Sequence, residues 1–244
     1  MKTTSVSGSL KGNPIDPRWK TLFYIAAVAA VYMIILIPIQ GIVFIFSPPP
    51  STVLGFFKLF HESILMGLIN LDLLLTIDYV LVVFIYFVLF IVLSRKEKSL
   101  SLIATILGCL SITLYIVSRE ATFSMIALSN EYFSATTEME QAATLAAGKT
   151  LLAVYNGSSF DISYVLGGFT MVLFSIVMLK DELFENSIPI TGLILGVLMF
   201  VPPTSGEIGV WISMVSLVPS LIWMILLSRW LFRTARRLTQ LQLN

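Results

Sequence analysis

The sequence predicts an all-α fold, a polytopic membrane helix bundle with six transmembrane helices. Hydrophobic residues make up 57% of the 244 residues and charged residues only 12%, with a mean hydropathy of +0.93. A soluble domain carries roughly 25% charged residues. Six apolar runs alternate with polar connections, and lysine and arginine are concentrated on alternate connections. Together these observations exclude an ordinary soluble domain.

Each apolar run is read as one spanning helix, because about 20 apolar residues cross a bilayer. The runs cover residues 21–46, 73–93, 100–118, 160–179, 188–201 and 210–232. The fifth is short, since its residues rise only ~21 Å along a helix. The first is too long for the apolar region of a signal peptide, so we expect it to be retained. One transmembrane domain, 20–234, then lies between polar tails 1–19 and 235–244.

The distribution of basic residues predicts the orientation. With both termini in the cytoplasm, the inner segments hold 12 lysines and arginines, and the outer ones hold only Lys58, Arg119 and Lys149. Such a bias is typical of the cytoplasmic side. We therefore expect a multi-pass plasma-membrane protein with cytoplasmic termini. The basic run RWLFRTARRL extends the sixth helix toward anionic lipid headgroups, or serves simply as a stop-transfer anchor.

An amphipathic segment, 53–70, is expected in the outer interface after the helix-breaking SPPPS. One face would carry Lys58, His61 and Glu62, and another Phe56, Phe60 and Ile64. As the single histidine, His61 rules out a three-histidine zinc centre. A solvated His61 is the simpler interpretation; a metal or proton role is the alternative.

A helical outer loop, 120–158, is expected to cover the outer mouth of the bundle. Thr137 and Glu140 have the spacing of a capping box, and the segment that follows is rich in helix formers. Asn156-Gly157 is typical of a helix end. The loop is too long to be structureless in a compact protein.

Two acids, Asp72 and Asp78, interrupt the second apolar run. Asp78 lies ~24 Å along the helix from its inner end, inside the ~30 Å core, and Asp72 lies ~9 Å further out. Six residues place them about 120° apart, so a carboxylate pair is not expected. Asp78 would face protein or water, and Arg119 is its first predicted partner, either as a structural clamp or in a ligand site.

Further polar groups are expected at the same depth. Asp161 follows Ser158 with helix-capping spacing, and Pro202-Pro203 must end the short fifth helix. The TSGE segment after them would dip below the outer surface with Glu207. The small residues Gly167-Gly168 and the GxxxG of Gly192 and Gly196 predict close helix contacts. The candidate outer pocket comprises Asp78, Tyr79, Arg119, Glu120, Asn156, Asp161, Tyr164 and Glu207.

Three stretches, LINLDLLLTIDY, LLAVYNGSSFDISYVLGG and FVPPTSGEIGVWISMVSLVPSLIWMILLSRWLF, carry a family resemblance. They resemble a family of prokaryotic multi-pass membrane proteins known only as a domain of unknown function. The resemblance covers residues 20–233. It implies an integral membrane protein and places Asn156, Asp161, Pro202 and Pro203 in the shared core of the family. It implies no activity and no catalytic residues.

Three classes of function stay open. The first is binding or transport of a small amphiphile or lipid through an outward-facing polar pocket. The second is a membrane-embedded enzyme acting on a lipid headgroup by acid–base chemistry, with a metal held by Asp78, Asp161 and Glu207 as one version. The third is a non-catalytic sensor or assembly factor. We expect the first, with no cofactor, no metal and no nucleic-acid partner, whereas the oligomeric state is not predicted.

Overall fold

The computed structural model describes residues 15–243, which are helical apart from their connections and contain no strand. The predicted N-terminal tail, 1–19, lies mostly outside the described residues. The helices are α1 (Lys20–Phe46), α2 (Val53–Glu62), α3 (Ile64–Asn70), α4 (Leu73–Leu93), α5 (Lys98–Ser118), α6 (Glu120–Ser134), α7 (Glu138–Tyr155), α8 (Ser158–Leu179), α9 (Ser187–Leu198) and α10 (Gly206–Leu243). The predicted all-α class is confirmed.

Five helical segments within residues 15–243 are long and apolar enough to cross a membrane. They contain α1, α4, α5, α8 and α10, each close to a predicted span. The remaining predicted span corresponds to α9, which is shorter than expected at 12 residues, or ~18 Å. Six spans are therefore an approximate description. Helix α10 continues through residues 235–243 of the predicted C-terminal tail.

The bundle core forms where α1 packs against α4 and α10, and where α8 packs against α5 and α9. Helix α1 turns small residues inward, including Ala26, Ala27 and Ala30, so that its neighbours approach closely. Outward-facing apolar side chains are common on all the long helices. This arrangement suits a bilayer, because lipid covers such side chains without cost.

Helices α8 and α9 meet at glycines, as their sequences predicted. A Cβ on Gly168 would lie 2.8 Å from the Gly196 carbonyl oxygen, and one on Gly196 would lie 2.9 Å from the Gly168 carbonyl oxygen. These contacts are between backbones and cannot be relieved by a side-chain rotation. The crossing brings the short α9 against the spanning α8.

Helices α2, α3, α6 and α7 form a cap over one end of the bundle, here called the cap end. The opposite end, where α1 begins and α10 ends, is called the basic end. The capping box of Thr137 and Glu140 is present at the start of α7, and Asn156 ends that helix. The predicted helical cap over 120–158 is confirmed.

Helix α2 differs from its predicted place in the membrane interface. Its apolar residues Phe56, Phe57 and Phe60 are buried, and they form a second core with α6 and α7. Lys58, His61 and Glu62 face outward, as expected. Protein, and not lipid, covers the apolar face, because α6 folds back over it.

Candidate functional site

A tight turn at the cap end places Asp72 directly before α4. Asp72 has a left-handed backbone (φ 61°), which is uncommon outside glycine and is tolerated best by asparagine and aspartate. The Thr122 hydroxyl donates to the Leu71 carbonyl at 2.6 Å, and the Thr76 hydroxyl donates to the Asp72 carbonyl at 2.9 Å. Side chains of α6 and α4 therefore hold the turn in place.

The Asp72 carboxylate is the counter-ion of Arg119. Arg119 Nη1 lies 2.9 Å from Asp72 Oδ2, and the Tyr155 hydroxyl donates to the same oxygen at 2.5 Å. Arg119 is buried and lies at the cap end, between the end of α5 and the start of α6. Burial raises the pKa of the Asp72 carboxyl, and the Arg119 guanidinium and the Tyr155 hydroxyl oppose that rise.

Three aromatic rings surround the Arg119 guanidinium. Its Cζ lies 4.6 Å from the ring centre of Tyr115, 3.9 Å from that of Tyr155 and 4.5 Å from that of Phe160. Each distance allows a cation–π interaction, which strengthens where water is excluded. These three residues, with Asp72 and Arg119, are called the Arg119 cluster. The cluster connects α4, α5, α7 and α8.

The predicted Asp78–Arg119 ion pair is wrong. Asp78 is only 3% exposed, and neither of its carboxylate oxygens has a hydrogen-bond partner among the described residues. Arg119 instead pairs with Asp72. The two side chains differ in their position along the bundle axis. Arg119 ends α5 at the level of the turn before α4, and Asp78 lies ~9 Å further along α4 toward the basic end.

Tyr79 links the level of Asp78 to the Arg119 cluster. Its ring stacks on that of Tyr115 with centres 3.7 Å apart and planes 2° from parallel. The Tyr115 hydroxyl is buried and, like the Asp78 carboxylate, has no hydrogen-bond partner among residues 15–243. Tyr79 follows Asp78 directly, but successive residues of a helix point about 100° apart, so the stack and the Asp78 carboxylate share a height along α4 and not a helix face.

The first turn of α8 holds Asp161 against the connection between α9 and α10. The Thr204 hydroxyl donates to an Asp161 carboxylate oxygen. Ser158 was expected to cap this helix, but Gly157 occupies the capping position and no side chain caps it. Tyr164 follows one turn after Phe160, with ring centres 6.1 Å apart.

Three predicted site residues lie at the surface instead. Glu120 is exposed and accepts a hydrogen bond from Ser124 at 3.0 Å. Asn156 is exposed at the end of α7, and Glu207 is exposed in the first turn of α10. The structure therefore collects Tyr79 and Arg119 around Tyr115, with Asp78 at the same end of the bundle, and leaves these three outside.

The oxygen-ligand metal set is not assembled. Within residues 15–243, no group of three His, Cys, Asp or Glu side chains is placed to hold a metal ion. The version of the enzyme hypothesis that joined Asp78, Asp161 and Glu207 is therefore not supported by the geometry. Two cavities, of about 270 and 60 Å³, are lined by residues other than the predicted outer set.

Sequence reasoning missed four members of the Arg119 cluster as site residues: Asp72, Tyr115, Tyr155 and Phe160. Tyr115 precedes Arg119 by four residues, which is a helical-face signal for a ring beside a cation. Asp72 was assigned to the interface by its depth along α4. Tyr155 and Phe160 come from α7 and α8, and no spacing in the sequence relates them to Arg119.

Comparison with known proteins identifies the family to which the chain belongs. Neither a curated protein nor a solved structure matches the chain. One family model, described as Domain of unknown function (DUF4386), matches residues 21–234. The match covers the cap and the bundle up to residue 234 of α10, in agreement with the resemblance noted in the sequence. In this protein the matched residues form a multi-pass helical membrane domain. The chain is therefore a member of the DUF4386 family, a family of unknown function.

Proposed function

We propose that this protein binds or transports a small amphiphile or lipid at a site centred on Asp78, in the half of the bundle nearest the cap. The site opens outward, and the basic end faces the cytoplasm, in keeping with the positive-inside bias of the sequence.

The observation that supports this proposal is the unpartnered carboxylate of Asp78. It is buried within a spanning helix, and neither oxygen has a protein partner among the described residues. Ionisable side chains inside a membrane are costly and are typically functional. A buried carboxylate without a partner calls for a proton or a donor from outside the chain.

No member of the Arg119 cluster donates to Asp78 in the structure: Arg119 pairs with Asp72 among three rings, while its Nε and the Tyr115 hydroxyl are buried without a partner among residues 15–243. An amphiphile with a cationic or hydrogen-bond-donating head would satisfy Asp78. The apolar part of the amphiphile would contact the apolar side chains of the surrounding helices.

The test is native mass spectrometry of the detergent-purified protein beside Asp78→Asn. Dodecylammonium and dodecyl sulfate serve as added probes, because they share a chain and differ in head charge. We expect a co-purified adduct or bound dodecylammonium that Asp78→Asn reduces about tenfold, with no saturable dodecyl sulfate binding. Glu182→Gln, an exposed acid at the basic end, is the matched control.

Equal retention in Asp78→Asn and wild type would contradict the proposal, provided that circular dichroism shows both folded. Absence of any adduct, together with no dodecylammonium binding, would also contradict it. A reproducibly co-purified protein partner in place of a small ligand would favour the sensor or assembly-factor alternative.

A further inference from the structure

An apolar groove runs between α1 and α10 on the exposed side of the bundle. Its volume is about 270 Å³, and it is lined by Val28, Val31, Tyr32, Ile35 and Phe232. The four residues from α1 are exposed, between 38% and 56%. Neither Asp78 nor any residue of the Arg119 cluster lines the groove.

The groove has the length expected for a lipid acyl chain in one leaflet of the bilayer. Tyr24 contacts Phe232, with ring centres 6.5 Å apart, and continues the lining stripe of α1 toward the basic end. From Tyr24 to Ile35 the helix rises ~16 Å. That is close to half of the ~30 Å hydrocarbon core.

Two cations flank the basic end of this stripe. Lys20 precedes Tyr24 by four residues on α1, and Arg236 follows Phe232 by four residues on α10. Residues four apart share a helix face. Each cation therefore lies one turn beyond the Tyr24–Phe232 contact, and neither forms an ion pair with a residue in the described part of the chain.

We propose that α1 and α10 form a binding site for one anionic phospholipid of the leaflet at the basic end. An acyl chain lies in the groove along Val28 to Ile35. The phosphate lies between Lys20 and Arg236. Charge complementarity selects this occupant, because an apolar groove with two cations beyond its basic end matches an anionic headgroup on an acyl chain. This site is independent of the proposed function at Asp78.

The experiment is native mass spectrometry of the delipidated full-length protein in mixed micelles. Phosphatidylglycerol and phosphatidylcholine are added in turn. We expect one saturable phosphatidylglycerol adduct that is retained at higher collision energy than phosphatidylcholine. Lys20→Gln and Arg236→Gln should each weaken it about fivefold, and the double variant roughly thirtyfold. Arg237→Gln is the matched control, since it removes the same charge one position along α10.

A second pair of variants tests the groove itself. Val28→Phe fills the groove and should displace the lipid, whereas Ile106→Phe, at an exposed apolar position on α5, should not. Equal binding of the two lipids would overturn the proposal. So would an equal loss in Arg237→Gln and Arg236→Gln, because the site would then be a diffuse basic surface. Unchanged binding in Val28→Phe would overturn the placement of the acyl chain.

Discussion

Asp72 and Arg119 form a buried ion pair, with Nη1 and Oδ2 2.9 Å apart, across the turn that starts α4 and the turn that ends α5. The Tyr155 hydroxyl donates to the same carboxylate oxygen. This pair joins the membrane bundle to its cap, because Tyr155 belongs to α7. Removing one partner of such a pair leaves an uncompensated charge and costs about 3–5 kcal/mol.

The pairing is tested by double-mutant cycles in detergent. Asp72→Asn and Arg119→Gln should each lower the apparent melting temperature strongly, and the double variant should lose less than the sum, by an interaction energy of about 1–3 kcal/mol. Asp78→Asn and Arg119→Gln should be additive, because those residues are not paired. Coupling between Asp78 and Arg119, with none between Asp72 and Arg119, would contradict the structure.

Replacing each acid by leucine separates a structural acid from a functional one. Asp72→Leu should lower the apparent melting temperature, since Arg119 loses its counter-ion and leucine is strained in the left-handed backbone of residue 72. Asp78→Leu should leave it unchanged or raise it, because a buried carboxylate without a partner opposes folding. Thermal unfolding of the purified proteins measures both. A similar loss in the two variants would show that Asp78 has a stabilising partner.

The Tyr155 hydroxyl is expected to contribute less than Arg119 does. Tyr155→Phe removes one hydrogen bond to a charged group, which is typically about 1.5–3 kcal/mol, and keeps the ring beside Arg119. Tyr132→Phe, in the second core of the cap, is the control. Thermal unfolding should rank Arg119→Gln below Tyr155→Phe, and Tyr155→Phe below Tyr132→Phe. Equal stability of the two tyrosine variants would contradict the hydrogen bond.

The crossing of α8 and α9 should not tolerate a single added methyl group. Gly168→Ala and Gly196→Ala each push a Cβ against a carbonyl oxygen of the other helix, at an expected cost of about 1–3 kcal/mol. Gly41→Ala on α1 meets nothing within 4 Å and is the control. Equal melting temperatures for all three variants would show that α9 does not pack as closely as described.

The orientation is tested by cysteine labelling of intact cells. In a Cys109→Ala background, Lys149→Cys at the cap end should react with a membrane-impermeant maleimide, and Gln240→Cys at the basic end should react only after lysis. Both positions are exposed, so the contrast depends on the side of the membrane. The reverse pattern would place the basic end outside the cell.

The helices themselves could be predicted from the sequence, because hydropathy and capping signals act along the chain. The span 73–93 coincides with α4, and the Thr137–Glu140 capping box is in place at the start of α7. A short fifth helix was also expected, although α9 ends at Leu198, before Pro202-Pro203. These features depend on neighbours within one or two helical turns, and so the sequence is enough.

Contacts between helices were decided by the tertiary structure. The sequence offered two acids to Arg119, and only the relative height of α4 and α5 selected Asp72 over Asp78. The position of a residue along its own helix does not give its height relative to residues of another helix. Here the relative height of α4 and α5 depends on the left-handed turn at Asp72 and on how α6 folds back. The sequence by itself therefore determined a capped, multi-pass helical protein with acids near one end. Tertiary packing determined which acid is neutralised, because an ion pair forms only where folding brings charges within a few ångströms in a medium of low dielectric constant.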